Sequence, residues 1–136
     1  VGTGSLEQQI KNKIKELNIE KSVIMLGVRN DVNNILSASD IFLLPSLFEG
    51  LPVVAIEAQT SDIKCILANT ITVEAKILPN LEFVKLDKFA WKNAILNTKI
   101  EKRKNNSVEI KNAGYYINSE FERLQNIYSS ILENLK

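Results

Sequence analysis

The chain has 136 residues, 45% of them hydrophobic and 24% charged, with a net charge of +1. That is enough for one domain or a piece of a larger one, and so even a charge balance gives no reason to expect nucleic acid as a partner. There is no histidine and one cysteine, which excludes imidazole catalysis, His-ligated metal and an internal disulfide within this chain.

Val1-Gly-Thr-Gly4 reads as a strand tail and a glycine turn, as though the segment continued something longer, with Ser5 placed to cap the next helix. Leu6, Ile10, Ile14 and Leu17 recur at helical spacing and predict an amphipathic helix. Ser22 to Gly27 is a short apolar run that predicts a strand ending in glycine. Asn30 or Asp31 can cap a short helix carrying Val32, Ile35 and Leu36 inward. The apolar run Ile41 to Leu44, stopped by Pro45, suits a strand buried on both faces, as in a parallel sheet. A loop from Ser46 to Leu51 follows. Pro52, with no N–H to lose and a helical φ, is expected at the first position of a helix running to Gln59.

Lys64 to Ala68 predicts a second buried strand, with Cys65 as a small core residue. Thr70 to Lys76 is ambiguous, one helical turn at most. Glu82 to Leu86 alternates as an edge strand does, and Lys88 to Asn97 predicts a helix around Phe89, Trp91, Ile95 and Leu96. Thr98 to Lys111 is the most polar tract, a surface linker or a basic patch, and such a run is usually a solvated face. The last helix is expected at about 118–135, with Ser119 and Glu122 at capping-box spacing. Its stripe of Ile117, Phe121, Leu124, Tyr128, Ile131 and Leu135 is expected to pack on the core, although the spacing also permits pairing with another helix. Strands alternating with helices give an α/β class, a Rossmann-like parallel sheet flanked by helices. No stretch has the length of a membrane span and no signal peptide is visible, so the expected location is the cytoplasm.

The strand, loop and helix from Ile41 to Gln59 carry the chemistry. In an open parallel sheet, ligands bind outside the carboxyl ends of the strands. A helix starting at Pro52 leaves backbone N–H groups near Gly50, Leu51, Val53 and Val54 free to meet an anion such as phosphate. Gly50 allows close backbone approach. Glu57 lies in a mostly apolar helix, where sugar or ribose hydroxyls would give its carboxylate partners. Glu49 sits in the loop, near where a second hydroxyl group or a developing positive charge would lie. The plainer alternative is an exposed Glu49 and a Glu57 paired with a lysine.

Pro45-Ser-Leu-Phe-Glu-Gly-Leu-Pro-Val-Val-Ala-Ile-Glu-Ala-Gln59 resembles the E-x7-E signature of family 4 glycosyltransferases, retaining sugar-nucleotide enzymes of the GT-B fold. Val1-Gly-Thr-Gly-Ser-Leu6, Val23-Ile-Met-Leu-Gly27, Asp31-Val32 and Ala38-Ser-Asp-Ile-Phe-Leu-Leu-Pro-Ser46 resemble the family in order and spacing, and Leu124-Gln-Asn-Ile-Tyr128 resembles its final helix. The resemblance implies that Glu57 holds the ribose hydroxyls of a nucleotide and that Glu49, near the transferred sugar, has a catalytic role. It implies that Ser46, Phe48, Gly50 and Leu51 belong to the loop that meets sugar and diphosphate. Gly27 and Val28 would contact the base, with Arg29 near enough to stack on it. The implied donor is a UDP- or GDP-linked sugar. Retention by front-face attack, with the donor phosphate taking the acceptor proton, needs no cofactor and no metal.

Residues 1–136 are therefore expected to be part of a donor-binding domain, without the N-terminal acceptor domain and without an upstream strand and Arg/Lys phosphate clamp. In a sheet of order 3-2-1-4-5-6 the first strand is central, so its absence would leave open edges. A homo-oligomer through such an edge or through the last helix is one way to cover them. A fragment of this kind is expected to transfer nothing alone, and its full-length protein to build polysaccharide or glycoconjugate, in the cytoplasm or peripherally at the inner membrane face. Asp62 stands where the family usually has glycine and is expected to tolerate a left-handed turn. The competing reading is a non-catalytic nucleotide- or phosphate-binding module of Rossmann-like form.

Overall fold

The structure, a computed structural model, describes residues 1–134. The chain forms two compact units, residues 1–34 and residues 35 onward.

The first unit holds α1, Glu7–Glu16. Its cap differs from expectation. Leu6 is the N-cap and no side chain caps the helix, because the turn that bonds Glu7 N–H to Gly4 C=O places Ser5 one residue too early. Leu6, Ile10 and Leu17 are exposed, so the predicted apolar stripe is not a buried face. The strand expected from Ser22 to Gly27 does not form either. A strand needs a paired neighbour, and the bond tying this run to the N-terminal segment is Gly2 N–H to Gly27 C=O at 2.6 Å. Gly27 turns the chain with φ +62°, a conformation that glycine adopts without strain. Asp31 does not cap α2, Val32–Ser37, with its side chain. Its carboxylate takes both forks of Arg29, at 2.8 Å each.

The second unit is built on a three-stranded parallel sheet, β1 Ile41–Leu44, β2 Lys64–Ala68 and β3 Leu81–Val84, adjacent in chain order. Ile41 pairs with Lys64 and Leu44 with Leu67, while Cys65 pairs with Leu81 and Ala68 with Val84. The sheet has the α/β character expected from the sequence. β2 is central, and its Cys65, Ile66, Leu67 and Ala68 are fully buried. β1 is less enclosed than predicted, with Leu43 exposed, because among the described residues it pairs on one side only.

Helix α3, Val53–Thr60, packs on β1 and β2, and α4, Lys88–Leu96, packs on β3. Ala55, Ile56 and Ala58 form the buried face of α3, and two alanines there let helix and sheet approach closely. Ile63, Ile71, Ala75, Leu78 and Leu81 complete this core. Each large aliphatic among them contributes about 1.5–3 kcal/mol by burial. The ambiguous segment after β2 holds one 3-10 turn, Val73–Ala75, in which Thr72 Oγ1 accepts from Glu74 N–H. Asp87 caps α4 by accepting from Phe89 and Ala90 N–H, although Phe89 and Leu96 stay exposed.

The polar tract after α4 is more than a solvated face. Arg103 donates to the carbonyls of Ser37 and Ser39, and Asp62 accepts from Lys104 N–H and from Asn106 Nδ2. The short helix α5, Ser107–Asn112, then buries Ile110. Asp62 itself has φ +51°, the left-handed turn expected of it, and its side chain anchors this strap as well.

Helix α6 runs Ile117–Asn134. Ser119 lies inside it and donates back to Tyr116 C=O, so the predicted capping box is not made. Its apolar stripe is not packed on the core: Ile117, Phe121, Leu124, Tyr128 and Ile131 are all exposed, and Leu135 lies outside the described residues. No described helix is long and apolar enough to cross a membrane.

Candidate functional site

The site is built where β1 ends. Pro45 has no N–H with which to continue the ladder, so the chain leaves the sheet after Leu44. It crosses residues 46–51 and enters α3 through Pro52, which is the N-cap rather than the first helical residue, with φ −74° and ψ 104°. Pro52 is buried, and its carbonyl accepts from Ala55 N–H at 2.9 Å. No side chain caps α3. The N–H groups of Val53 and Val54 thus have no intrahelical acceptor and lie at the positive end of the helix dipole.

Glu49 is half-buried, and its Oε1 accepts from Ser46 Oγ at 2.8 Å. Phe48 and Leu47 project outward, 86% and 83% exposed, and Gly50 and Leu51 are also exposed. A Cβ at Gly50 would meet nothing within 4 Å, and Gly50 is not among the residues of positive φ. Neither packing nor backbone conformation within the chain calls for glycine there. Glu57 is exposed, not enclosed in apolar surroundings, and makes no ion pair among the described residues. The alternative in which a lysine neutralises Glu57 is therefore not what forms. Ser46, Phe48, Glu49, Gly50, Leu51 and Glu57 are brought together on one strand–loop–helix turn of the second unit.

Gly27 and Val28 belong to the first unit, where Val28 is exposed. Beside them, the hydrogen bond and charge of Asp31 raise the Arg29 pKa above its ordinary value, and the hydrogen bond from Arg29 lowers that of the Asp31 carboxyl. The Arg29 guanidinium is thus engaged by Asp31.

Two residues outside the predicted set support the turn. Gln59 is fully buried and satisfied at both ends. Its Nε2 donates to Ala55 C=O at 3.0 Å and Ala75 C=O at 2.8 Å, while its Oε1 accepts from Ile77 and Leu78 N–H at 2.9 Å each. A polar side chain at an inward position of an apolar helix was the available signal. Thr70 Oγ1 donates to Ser46 C=O at 2.9 Å across 24 residues of sequence, a pairing that no local pattern announces.

A cavity of about 710 Å³ lies at the other end of the sheet, between the strap and residues such as Asp40, Lys64, Asn80 and Glu82. Lys64 there pairs with Glu82 at 2.9 Å and Asp62 is bonded to the strap, while Asp40, Lys99, Glu101, Lys102 and Lys104 make no ion pair among the described residues. The turn at the carboxyl end of β1 is the better candidate, because no side chain caps α3 there and its two carboxylates have no cationic partner among the described residues.

Residues 1–112 match the family described as glycosyl transferases group 1. The chain is 47% identical over 70 residues to the UDP-Gal:alpha-D-GlcNAc-diphosphoundecaprenol alpha-1,3-galactosyltransferase of Escherichia coli, covering 51% of this chain and 18% of that protein. It is 42% identical over 69 residues to an uncharacterized glycosyltransferase of Haemophilus influenzae, covering 51% and 20%. It is 37% identical over 59 residues to the Vi polysaccharide biosynthesis protein VipC/TviE of Salmonella typhi, covering 43% and 10%. The matched stretch thus spans a fifth or less of each relative's length. With the family match extending over most of its length and the E-x7-E turn standing at the carboxyl end of β1, the chain belongs to the group 1 glycosyltransferases.

Proposed function

We propose that this chain supplies the donor side of a retaining, family 4-like glycosyltransferase that takes a UDP- or GDP-linked sugar. The observation that carries the reading is the uncapped start of α3 at the carboxyl end of β1, flanked by Glu49 and Glu57. Free N–H groups at the positive end of a helix suit the diphosphate. Glu57, exposed and without an ion-pair partner among the described residues, accepts hydrogen bonds from the two ribose hydroxyls. Glu49, held by Ser46, faces the transferred sugar, where a carboxylate stabilises positive charge developing at the anomeric carbon. Phe48, Gly50 and Leu51 line the sugar and diphosphate. The donor phosphate takes the acceptor proton, so no protein nucleophile, metal or cofactor enters the step.

The named activity of the Escherichia coli relative, transfer from UDP-Gal to a lipid-linked sugar, supports a nucleotide-sugar donor and a product of the polysaccharide or glycoconjugate class. Work in the cytoplasm or at the inner membrane face fits such a donor.

The test uses the intact protein. Hydrolysis or transfer is measured from a panel of UDP- and GDP-sugars, with Glu57→Ala beside the wild type. Glu57→Ala is expected to weaken nucleotide binding; affinity equal to wild type removes Glu57 from the ribose. Calorimetry on the chain alone addresses the competing reading, a phosphate-binding module without transferase activity. Equal affinity for free phosphate, UDP and GDP would favour that module.

A further inference from the structure

We propose that Thr70 is a positioning residue for Glu49, acting through the backbone of Ser46; the inference rests on the donor-site reading above. Ser46 has two duties. Its hydroxyl donates to Glu49 Oε1 at 2.8 Å, and its carbonyl accepts from Thr70 Oγ1 at 2.9 Å. Among the described residues, no backbone–backbone hydrogen bond outside the helices and strands involves residues 45–51. The bond from Thr70 is the one side-chain hydrogen bond that reaches this loop from elsewhere in the described chain.

Thr70 is itself mounted rigidly. Asn69 N–H donates to Val84 C=O of β3 at 2.9 Å, and Ile71 N–H donates to Ala68 C=O of β2 at 3.1 Å. The Ile71 side chain is buried in the core. The line of support therefore runs from the sheet to the turn at 69–71, through the Thr70 hydroxyl to Ser46, and through the Ser46 hydroxyl to the carboxylate.

Thr70 is solvent-exposed, so its hydrogen bond competes with water and adds little to fold stability. Its effect is on where the loop sits. A carboxylate that must stabilise charge at a reacting carbon is sensitive to placement, and small displacements cost large factors in rate. Losing the tie therefore lowers turnover, while ground-state nucleotide binding, carried mainly by Glu57 and the start of α3 with a smaller share from loop residues 48, 50 and 51, changes far less.

The experiment compares Thr70→Val, which keeps the shape and removes the hydroxyl, with Thr70→Ser, which restores a hydroxyl, and with Ser46→Ala and the Ser46→Ala/Thr70→Val pair. Backbone order parameters of residues 47–51 are measured by NMR on this chain. They are expected to fall in Thr70→Val and to recover in Thr70→Ser. In the intact protein, Thr70→Val is expected to lower kcat roughly 10-fold, with UDP or GDP affinity within about 2-fold of wild type. The double variant is expected to be no slower than the slower single variant, since both act on one line of support. Unchanged order parameters, a kcat loss that Thr70→Ser shares, or additive losses would overturn the proposal. Wild-type protein that transfers from no nucleotide sugar would instead refute the donor-site reading, and the order parameters alone would then decide whether Thr70 holds the loop.

Discussion

Replacing Gln59 by leucine should be among the most damaging single changes to the second unit. The side chain is fully buried and makes four hydrogen bonds, one to Ala55 C=O within α3 and three that join α3 to Ala75, the last residue of the 3-10 turn, and to Ile77 and Leu78 after it. Leucine keeps much of the volume and removes both donors and the acceptor. Ala55 C=O is also the intrahelical acceptor for residue 59, so its loss is mild. Ala75 C=O and Leu78 N–H lie in buried residues and are left unsatisfied, at about 1–3 kcal/mol each. Ile77 is half-buried and its N–H reaches water more readily, adding roughly 0.5–1 kcal/mol. The expected loss is about 2.5–7 kcal/mol, a large part of the 5–15 kcal/mol typical of a domain. Urea unfolding followed by circular dichroism should show a lower midpoint with an unchanged slope.

Gln59→Glu sharpens the test. A carboxylate keeps the acceptor for Ile77 and Leu78 N–H but turns an oxygen toward the carbonyls of Ala55 and Ala75. Only the protonated acid can donate to either carbonyl. The folded pKa of such a glutamate is therefore raised, its stability is present below the ordinary carboxyl value, and that stability is lost as pH rises through the folded value. The glutamate variant should thus be less stable than the leucine variant at pH 8 and gain on it at pH 4. A loss below about 1 kcal/mol for Gln59→Leu, or a glutamate variant insensitive to pH, would refute this account of the network.

Gly50→Ala should leave the melting temperature unchanged or slightly higher, since its Cβ meets open space and φ is not positive, yet weaken nucleotide-sugar binding in the intact protein. Equal binding would show that no ligand approaches that backbone. Burial pushes the Cys65 thiol up to about 12 from an ordinary 9.0. Stability should therefore be complete below pH 9 and decline toward pH 12, a slope that Cys65→Ala removes in a denaturant titration. Asp62→Gly relieves the left-handed backbone at φ +51° but releases the strap. Faster hydrogen exchange at Lys104 without a net gain in stability is expected, and a gain of about 1 kcal/mol would mean the anchor contributes nothing.

The sequence made the second unit legible because its signals are local. Prolines at 45 and 52 bracket a loop, apolar runs fill β1 and β2, and the helix between them has one buried face. The structure departs from the sequence pattern where the outcome depends on neighbours. Val23 to Leu26 has the composition of a strand, but composition does not provide a pairing edge. The α6 stripe has core periodicity, but periodicity says nothing of what covers it, and it stands exposed. The strap at 103–106 looked like a solvated charge run because its anchors, Ser37, Ser39 and Asp62, are distant in sequence.

The two glutamates of the turn are mounted in different ways, and this separates their expected behaviour. Glu57 rides on α3, whose buried face is bonded through Gln59 to the segment leading into β3. Moving Glu57 therefore means disturbing the core, and variants that displace it should lose stability together with binding. Glu49 rides on a loop joined to the sheet by the single hydroxyl of Thr70 and fixed locally by Ser46. It can be displaced at almost no cost to the fold. The ribose contact proposed for Glu57 would be well served by the rigid mounting. A carboxylate that matters as charge develops can sit on the lighter mounting, adjusting as the sugar enters, provided one tie sets its resting place. Stability and turnover should accordingly separate between the two sides of the turn, falling together for Gln59 variants and apart for Thr70 variants.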